Sequence, residues 1–358
     1  MKKIFLIAFF IFSSFYTQLY GQAPKFSNEF LKIGVGARAL GMSNAFVANA
    51  DDVTAGYWNP AGLANMNDDF QFSFMHSEYF AGIASYDYAA FATRIDSAST
   101  IGFSFIRFGV DDIPNTTLLI DANGNLDFNR VTTFSAADYA GIISYSRLSK
   151  IKGLSYGGNI KIIRRIIGDF SQAWGFGFDL GTQYRKNKWT FAAVARDVTS
   201  TFNAWTTDLN QETKDVFLLT GNEIPENSVE VTLPELVLAI NRRVVFTDKI
   251  GMVAELNFRT TFDGKRNVLF KSDPISIDPN LGFEVNYDNF VFLRGGVGNV
   301  QVTTDIDGNR LTTYQPNFGV GVKFSYFNID YALTDIGDRS VALYSNVFSL
   351  RIDINRKQ

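Results

Sequence analysis

From residue 68 onward, apolar and polar positions alternate with a period of two. In "DFQFSFMHSEYF" Phe70, Phe72 and Phe74 fall on one face and Gln71, Ser73 and Met75 on the other. In "AWGFGFDLGTQY" Trp174, Phe176, Phe178 and Leu180 oppose Gly175, Gly177, Asp179 and Gly181. "GFEVNYD" sets Phe283, Val285 and Tyr287 against Glu284 and Asn286, and "KIGMVAELNFR" puts Glu255, Asn257 and Arg259 on one side. Side chains of a strand point alternately to its two faces, so each segment predicts a strand between two unlike environments. About fourteen such segments begin near residues 69, 84, 98, 134, 152, 170, 187, 230, 249, 276, 290, 314, 328 and 341. No helical period interrupts them, which excludes a parallel α/β architecture.

The connections carry a parity. Those after even-numbered strands are tight: "DSA" near 96, "SKIK" near 150, "KN" near 186, "TDK" near 247, "DN" at 288 and "YF" at 326. Several after odd-numbered strands are long, at 109–133, 199–229, 260–275 and 299–313. Short turns on one rim and long loops on the other predict a bacterial outer-membrane barrel with the long loops outside. A soluble β-sandwich has no reason to keep that parity. The predicted fold is all-β: a transmembrane antiparallel β-barrel of about fourteen strands. A charge on the lipid face near midplane costs about 2–4 kcal/mol, so Asp179, Glu255, Arg259, Glu284 and Arg294 are expected to face the lumen. The aromatic residues then face lipid, and the glycines opposite them leave room inside the barrel.

Composition agrees. The chain holds 35 Phe and 15 Tyr at a mean hydropathy of zero, because the aromatics alternate with Gly, Ser, Asn and Asp. There is no cysteine, which excludes disulfides, thiolate chemistry and thiolate metal sites. A net charge of −3, spread along the chain, offers no basic footprint for nucleic acid. Residues 1–21 read as a cleaved signal peptide: Lys2 and Lys3, then apolar Ile4–Phe12, then a polar stretch to Tyr20-Gly21-Gln22. That apolar run is too short for a spanning helix, which needs about 20 residues. The expected location is the outer membrane. The expected division is signal peptide 1–21, hatch 22–67 and barrel 68–358.

The hatch segment contains "GARALGMSNAFVANADDVTAGYWNPAGLA", rich in small residues as a chain threaded into a lumen must be. Asn59 is a good N-cap and Pro60 suits the first position of a short helix. Asp51 and Asp52 are placed to cap the preceding turn, and Arg38 to meet lumenal carboxylates. Gly36, Arg38, Gly41, Asp51, Asp52, Trp58, Asn59, Pro60 and Gly62 form the hatch motif. This stretch, followed by an aromatic alternating strand, resembles the N-terminal region of the PorV/PorQ family of the Bacteroidetes type IX secretion system. That family is similar to the FadL-type barrels, which share an "NPAGL"-like element in a hatch folded inside fourteen strands. The later "FGVGVKFSYFNIDYAL", with Asp330-Tyr331-Ala332, resembles the family's penultimate hairpin. Unlike many barrels, this chain ends "SLRIDINRKQ" rather than on an aromatic residue.

No catalytic constellation is legible, so an enzyme is not expected, and no cofactor or metal is expected either. Gly34, Gly36 and Gly41 lack nucleotide-loop spacing and no βαβ unit follows. His76 is the only histidine, and Ser77 beside it points to the opposite face. "DANGNLD" at 121–127 and "DIDGN" at 305–309 lack the glycine and glutamate positions of a calcium loop. They predict hairpin tips, so two long loops should continue as hairpins. Arg164 and Arg165 are placed near a strand's outer end, as interfacial arginines or lipopolysaccharide contacts. The resemblance implies a shuttle and docking platform whose partners are the type IX translocon and the C-terminal signal domains of secreted cargo. The alternative is a FadL-like transporter of hydrophobic small molecules. Leu118, Leu119, Ile120, Phe217, Leu218 and Leu219, in two long loops, are candidate partner-binding residues under either reading.

Overall fold

In the computed structural model, residues 27–120, 125–304, 308–334 and 344–355 are described, and the alternating segments form one antiparallel sheet closed on itself. The expected signal peptide, 1–21, and the start of the hatch lie outside the described residues. The strands are β1 (Phe70–Tyr79), β2 (Ala84–Arg94), β3 (Ser99–Asn115), β4 (Thr132–Leu148), β5 (Leu154–Ile167), β6 (Ser171–Lys186), β7 (Trp189–Arg196), β8 (Thr201–Thr207) and β9 (Ser228–Thr232). After them come β10 (Glu235–Val245), β11 (Ile250–Thr261), β12 (Phe270–Lys271), β13 (Ser276–Tyr287), β14 (Val291–Thr304), β15 (Arg310–Phe324), β16 (Phe327–Thr334) and β17 (Ser345–Ile354).

These make fourteen staves. β7 and β8 both pair with β6 and are two halves of the seventh stave. β9 and β10 are the halves of the eighth, pairing with β8 and β7. The seventh stave breaks at residues 197–200, where Asp197 and Ser200 take positive φ, and the eighth breaks at Leu233-Pro234. β12 lies in a loop. β17 pairs with β1 from Phe70↔Ile354 to Glu78↔Asn346 and closes the wall.

The wall is dressed for lipid. Trp174, Phe176, Phe178 and Leu180 are each 43–57% exposed, while Asp179, their neighbour in sequence, is 5% exposed and inward. Phe283, Leu293, Phe318 and Phe348 continue the outer belt. An apolar surface of this extent is incompatible with water and fits a bilayer. Among the described residues, no helix is long and apolar enough to cross a membrane, so spanning falls to the strands.

Two long loops continue as hairpins, as expected, and a third needs amendment. β3 and β4 run well into the expected 109–133 loop and pair out to Asn115↔Thr132, beyond a register shift between Val110 and Ile113. β14 and β15 pair out to Thr304↔Arg310 with a shift between Gly298 and Gln301. Both are therefore hairpins, as the turn residues predicted, although residues 121–124 and 305–307 at the tips lie outside the described residues. The 199–229 stretch, read as strand-free loop without helical period, contains β8 and a helix, Gln211–Leu219. Asn210 Oδ1 caps the helix by accepting from Thr213 N–H at 2.8 Å. Gly221, at φ +70°, ends it with Gly221 N–H on Leu218 O and Asn222 N–H on Phe217 O.

The buried core is the hatch itself. Val35, Met42, Phe46, Trp58, Leu63 and Met66 are all essentially inaccessible, packed against inward Tyr86, Ile106 and Ile142.

Candidate functional site: the plugged lumen and the cavities above it

A chain threaded through a barrel must satisfy its own backbone polar groups without a sheet of its own. Inward polar side chains of the wall do this. Gln183 Nε2 donates to Ala48 O and Ala50 O, at 2.9 and 3.1 Å. Gln71 Oε1 accepts from Val53 N–H, and Glu255 Oε1 from Ala48 N–H, both at 2.8 Å. Ser146 Oγ accepts from Ala64 N–H, and Asn257 Nδ2 donates to Asn44 O. Within the hatch, Trp58 Nε1 donates to Val35 O and Tyr57 OH to Leu31 O.

The "WNPAG" element is the hinge of this seat. Asn59 Oδ1 accepts from Ala61 N–H and caps a short 3-10 helix, Pro60–Asn65, with Pro60 at its first position. Its Nδ2 donates to Val47 O and to Thr182 O on β6, at 3.2 Å each. The lumenal glycines mark where hatch meets wall: a Cβ at Gly157 would enter the Pro60 backbone, one at Gly181 the Asn59 side chain, and one at Gly282 or Gly296 would enter Met42. Gly41 of the hatch lies against Gly319 of β15, and Gly62 leaves no room for a Cβ against Ala50 O.

Charge fixes the orientation. Arg38 Nε and Nη2 each donate to one oxygen of Glu284 at 2.8 Å, while Nη1 lies 3.3 Å from Asp52 and 3.6 Å from Asp51. Glu284 also accepts from Arg294 Nε at 2.7 Å, and Arg294 Nη1 donates to Asp330 at 2.7 Å. On the other flank Asp52 accepts from Arg351, which also pairs with Asp353 at 3.0 Å. Alternating charges thus run from Asp330 through Arg294, Glu284, Arg38, Asp52 and Arg351 to Asp353. They tie the hatch to β13, β14, β16 and β17. A second cluster stands at the break in the seventh stave. Lys161 Nζ reaches Asp179 at 2.8 Å and pairs with Asp197, while Glu235 lies 3.7 Å from Arg196 and 3.9 Å from Arg259.

The structure turns the lumenal candidates inward without gathering them into one site. Asp179, Glu255, Arg259, Glu284 and Arg294 all point into the lumen, but in three separate places: Glu255 on the hatch backbone, Glu284 and Arg294 in the long ion chain, Asp179 and Arg259 near the stave break. Gly36 begins the Ala37–Gly41 helical turn at φ +82°. Asp52 caps the next turn through Thr54 N–H at 2.9 Å. His76 sits on the outer wall with Nδ1 2.7 Å from Asp87, and Ser77 turns inward to Asn346 O, so no hydrolase pairing forms. Arg164 and Arg165 separate: Arg164 lies outside over the Trp174 ring, and Arg165 lies inside against Asp138 and Glu230. Sequence reasoning missed Gln71, Gln183, Arg351 and Asp353. The first two looked like ordinary alternating polar positions, and the last two lay in a terminal segment noted only for its ending.

Two cavities open above the hatch. One, of about 420 Å³, has Lys32, Ile33 and Asn44 on its hatch side and Arg259, Asp278, Asn280, Asn299, Gln315 and Asn317 in its walls, with Leu40, Tyr79, Phe80 and Phe108 as its further apolar members. The other, of about 1040 Å³, lies at the extracellular crown between the β3–β4 hairpin and the Gln211–Leu219 helix. Its lining includes Asp111, Thr132, Thr133, Asp169, Asp208 and Asn210, and an equally large apolar share from Leu118, Phe134, Ile166, Phe170, Leu209 and Phe217. Ile120, Leu218 and Leu219 are strongly exposed at the same end, and Leu119 is half-buried. Arg130 ties the two crown segments by pairing with Glu212 at 3.0 Å. Outside the wall, the Asp263 carboxyl is held below the usual carboxylate range by its hydrogen bonds from Arg266, at the base of the 262–275 loop.

Closed wall, inward hatch and lipid-dressed exterior define a plugged outer-membrane barrel. No protein-family model matches the chain, and no curated protein matches its sequence. Solved structures do match. The toluene transporter TbuX of Ralstonia pickettii superposes with a TM-score of 0.54 at 15% identity, covering 90% of this chain and 99% of that one. The CymD monoaromatic hydrocarbon channel gives 0.55 at 12% identity, covering 91% and 99%. A FadL homologue of Pseudomonas aeruginosa gives 0.51 at 11%, covering 89% and 98%. The chain has the FadL-like outer-membrane barrel fold with its N-terminal segment inside. Those three proteins are named as transporters, channels and FadL relatives rather than as enzymes.

Proposed function

We propose that this protein is a membrane-held docking platform of type IX protein secretion, binding translocon and the C-terminal signal domains of secreted cargo at its extracellular end. The observation that carries this reading is the polarity of the space above the hatch. The smaller cavity, directly above the hatch, is walled chiefly by carboxamides, hydroxyls and charged groups, which match the backbone and polar side chains of a protein, while the larger one at the crown is lined about equally by polar and apolar surface. A pocket for a hydrocarbon is lined mainly by apolar and aromatic side chains. The hatch-motif resemblance supplies the identity of the partners, and the ion chain explains how the plug stays seated under load.

A second reading, transport of hydrophobic small molecules, is favoured by a different observation: the similar solved structures are of toluene and hydrocarbon transporters. The similar structures speak for transport and the polar walls for docking. Affinity purification from the native outer membrane in mild detergent decides between them. Docking expects a much larger barrel, or cargo with intact C-terminal domains, in the eluate. The barrel emerging alone with a bound hydrocarbon or fatty acid would overturn docking in favour of transport.

A further inference from the structure

β13 and β14 are paired from Leu281↔Val297 down to Tyr287↔Val291 and no further. Above that level both strands continue, as Ser276–Asn280 and Gly298–Thr304. Each is then paired on its far side, with β11 and with β15. Two backbone edges face each other across a parting in the wall. The 262–275 loop sits in it. β12 pairs with β13 on this side, Phe270 opposite Ile277 and Lys271 opposite Ser276, the other side of the same residues being taken by Thr260 and Thr261. On β14, Asn267 Oδ1 accepts from Val302 N–H at 3.1 Å, a side-chain oxygen where a neighbouring strand's carbonyl would stand. The loop thus imitates a missing strand over two residues and one amide. Pro279 lies in the parted stretch, as a residue without N–H must lie where a sheet edge is open.

We propose that this parting is a receiving slot for an extended segment of another polypeptide, with residues 265–271 as a displaceable stopper. The inference rests on the docking reading above and assigns it a place in the wall. A polypeptide is the occupant because the edge positions that the loop now holds, Ile277 on β13 and Val302 on β14, are matched together by another backbone. An acyl chain would leave them unpaired at a cost of several kcal/mol per group. The side chains specify the rest. Ile277 and Val302 face outward, so the incoming segment carries apolar residues on that face. Asp278 and Asn280 face inward, and Asp278 Oδ1 is buried without a hydrogen-bond partner. Inward positions therefore call for donors such as Thr, Ser or Lys. The stopper follows the same rule, with Phe270 paired to outward Ile277 and Lys271 to inward Ser276. Insertion would be strand addition on both edges at once, with backbone bonds giving affinity and the alternation giving selectivity.

The chain has no cysteine, so an Asn267→Cys, Val302→Cys double variant provides a clean lock. The probe is a fluorescein-labelled peptide, Thr-Val-Lys-Val-Thr-Val-Lys-Val, read by anisotropy against the barrel in detergent micelles. Binding to the reduced form is expected to weaken roughly tenfold on oxidation and to return with reductant. A barrel with 265–271 replaced by a Gly-Ser linker of equal length should bind the peptide more tightly than wild type. Equal binding by oxidised and reduced forms, or no binding to the stopper-free barrel, overturns the slot. Cargo recovered from membranes by the locked barrel as well as by wild type would remove the slot and leave docking intact. Peptide bound in the slot with no protein partner recovered would do the reverse.

Discussion

The two halves of this barrel are built on opposite plans. In the periplasmic half every stave pairs with both neighbours and the hatch fills the lumen. Alternating charges there leave no long-range room for adjustment, and glycines let hatch backbone touch wall backbone. In the extracellular half the strands part. The β14–β15 hairpin rises free of β13, β3 and β4 outrun β2 and β5, and the spaces between are open. Similar alternation and similar composition serve a filled seat below and open cavities above. What differs is whether inward polar groups are spent on the chain's own hatch or left facing a cavity.

The sharpest test of the contrast removes one carboxylate from each half. Glu284→Ala removes the acid shared by buried Arg294 and partly buried Arg38, leaving Asp330 to the one and Asp51 and Asp52 to the other, and is expected to cost about 3 kcal/mol, the lower end of the penalty for breaking a buried pair from one side. Glu212→Ala removes the exposed partner of Arg130 at the crown and should cost less than about 1 kcal/mol. Urea unfolding of the refolded barrels, followed by tryptophan fluorescence, reads both. Equal losses would mean that the ion chain does not hold the seat.

Next in size is Gly296→Val. Its side chain would enter the hatch backbone at Met42 and Ser43, costing about 1–3 kcal/mol by overpacking. It should also raise ion conductance in planar bilayers as the plug loosens. A variant as tight and as stable as wild type would show the seat to be compliant, and the contrast between the halves would blur.

Much of this was legible in advance. Strand positions and faces follow from a period-two pattern that is local, and the cost of a charge in lipid fixes which face is which. Arg38 was recognisable as a lumenal cation, because a lone arginine among small residues inside a barrel has to find acids. Its partners were not, since Glu284 and Asp52 are joined by folding rather than by spacing. The parting of β13 from β14 is a matter of register between strands, to which a single strand's alternation is blind; Pro279 was a local trace of it. The Gln211–Leu219 helix hid for another reason. Nine residues carry too little periodicity to stand out, yet Asn210 before it and Gly221 after it are its start and stop residues.

That helix supplies a smaller test, confined to the upper half. Asn210→Ala removes the cap on Thr213 N–H and should cost about 1 kcal/mol of local helix stability. Amide exchange should quicken across 211–219 while hatch amides are unchanged. Acceleration in the hatch as well would tie the crown to the seat and remove the independence of the two halves.

The smallest effect expected near neutral pH concerns the stopper's base, where Arg266 hydrogen-bonds Asp263. A folded carboxylate held below its ordinary value of about 3.9 contributes stability that is fully present above that value. The contribution is lost only as pH falls through the lowered value. Amide exchange in the 262–275 loop, corrected for intrinsic rates, should therefore show constant protection from about pH 8 to pH 5 and lose it only in stronger acid. Asp263→Asn should remove the acid transition and leave the neutral loop only slightly looser. A transition near neutral pH would place control of the stopper in some other group and detach it from this ion pair.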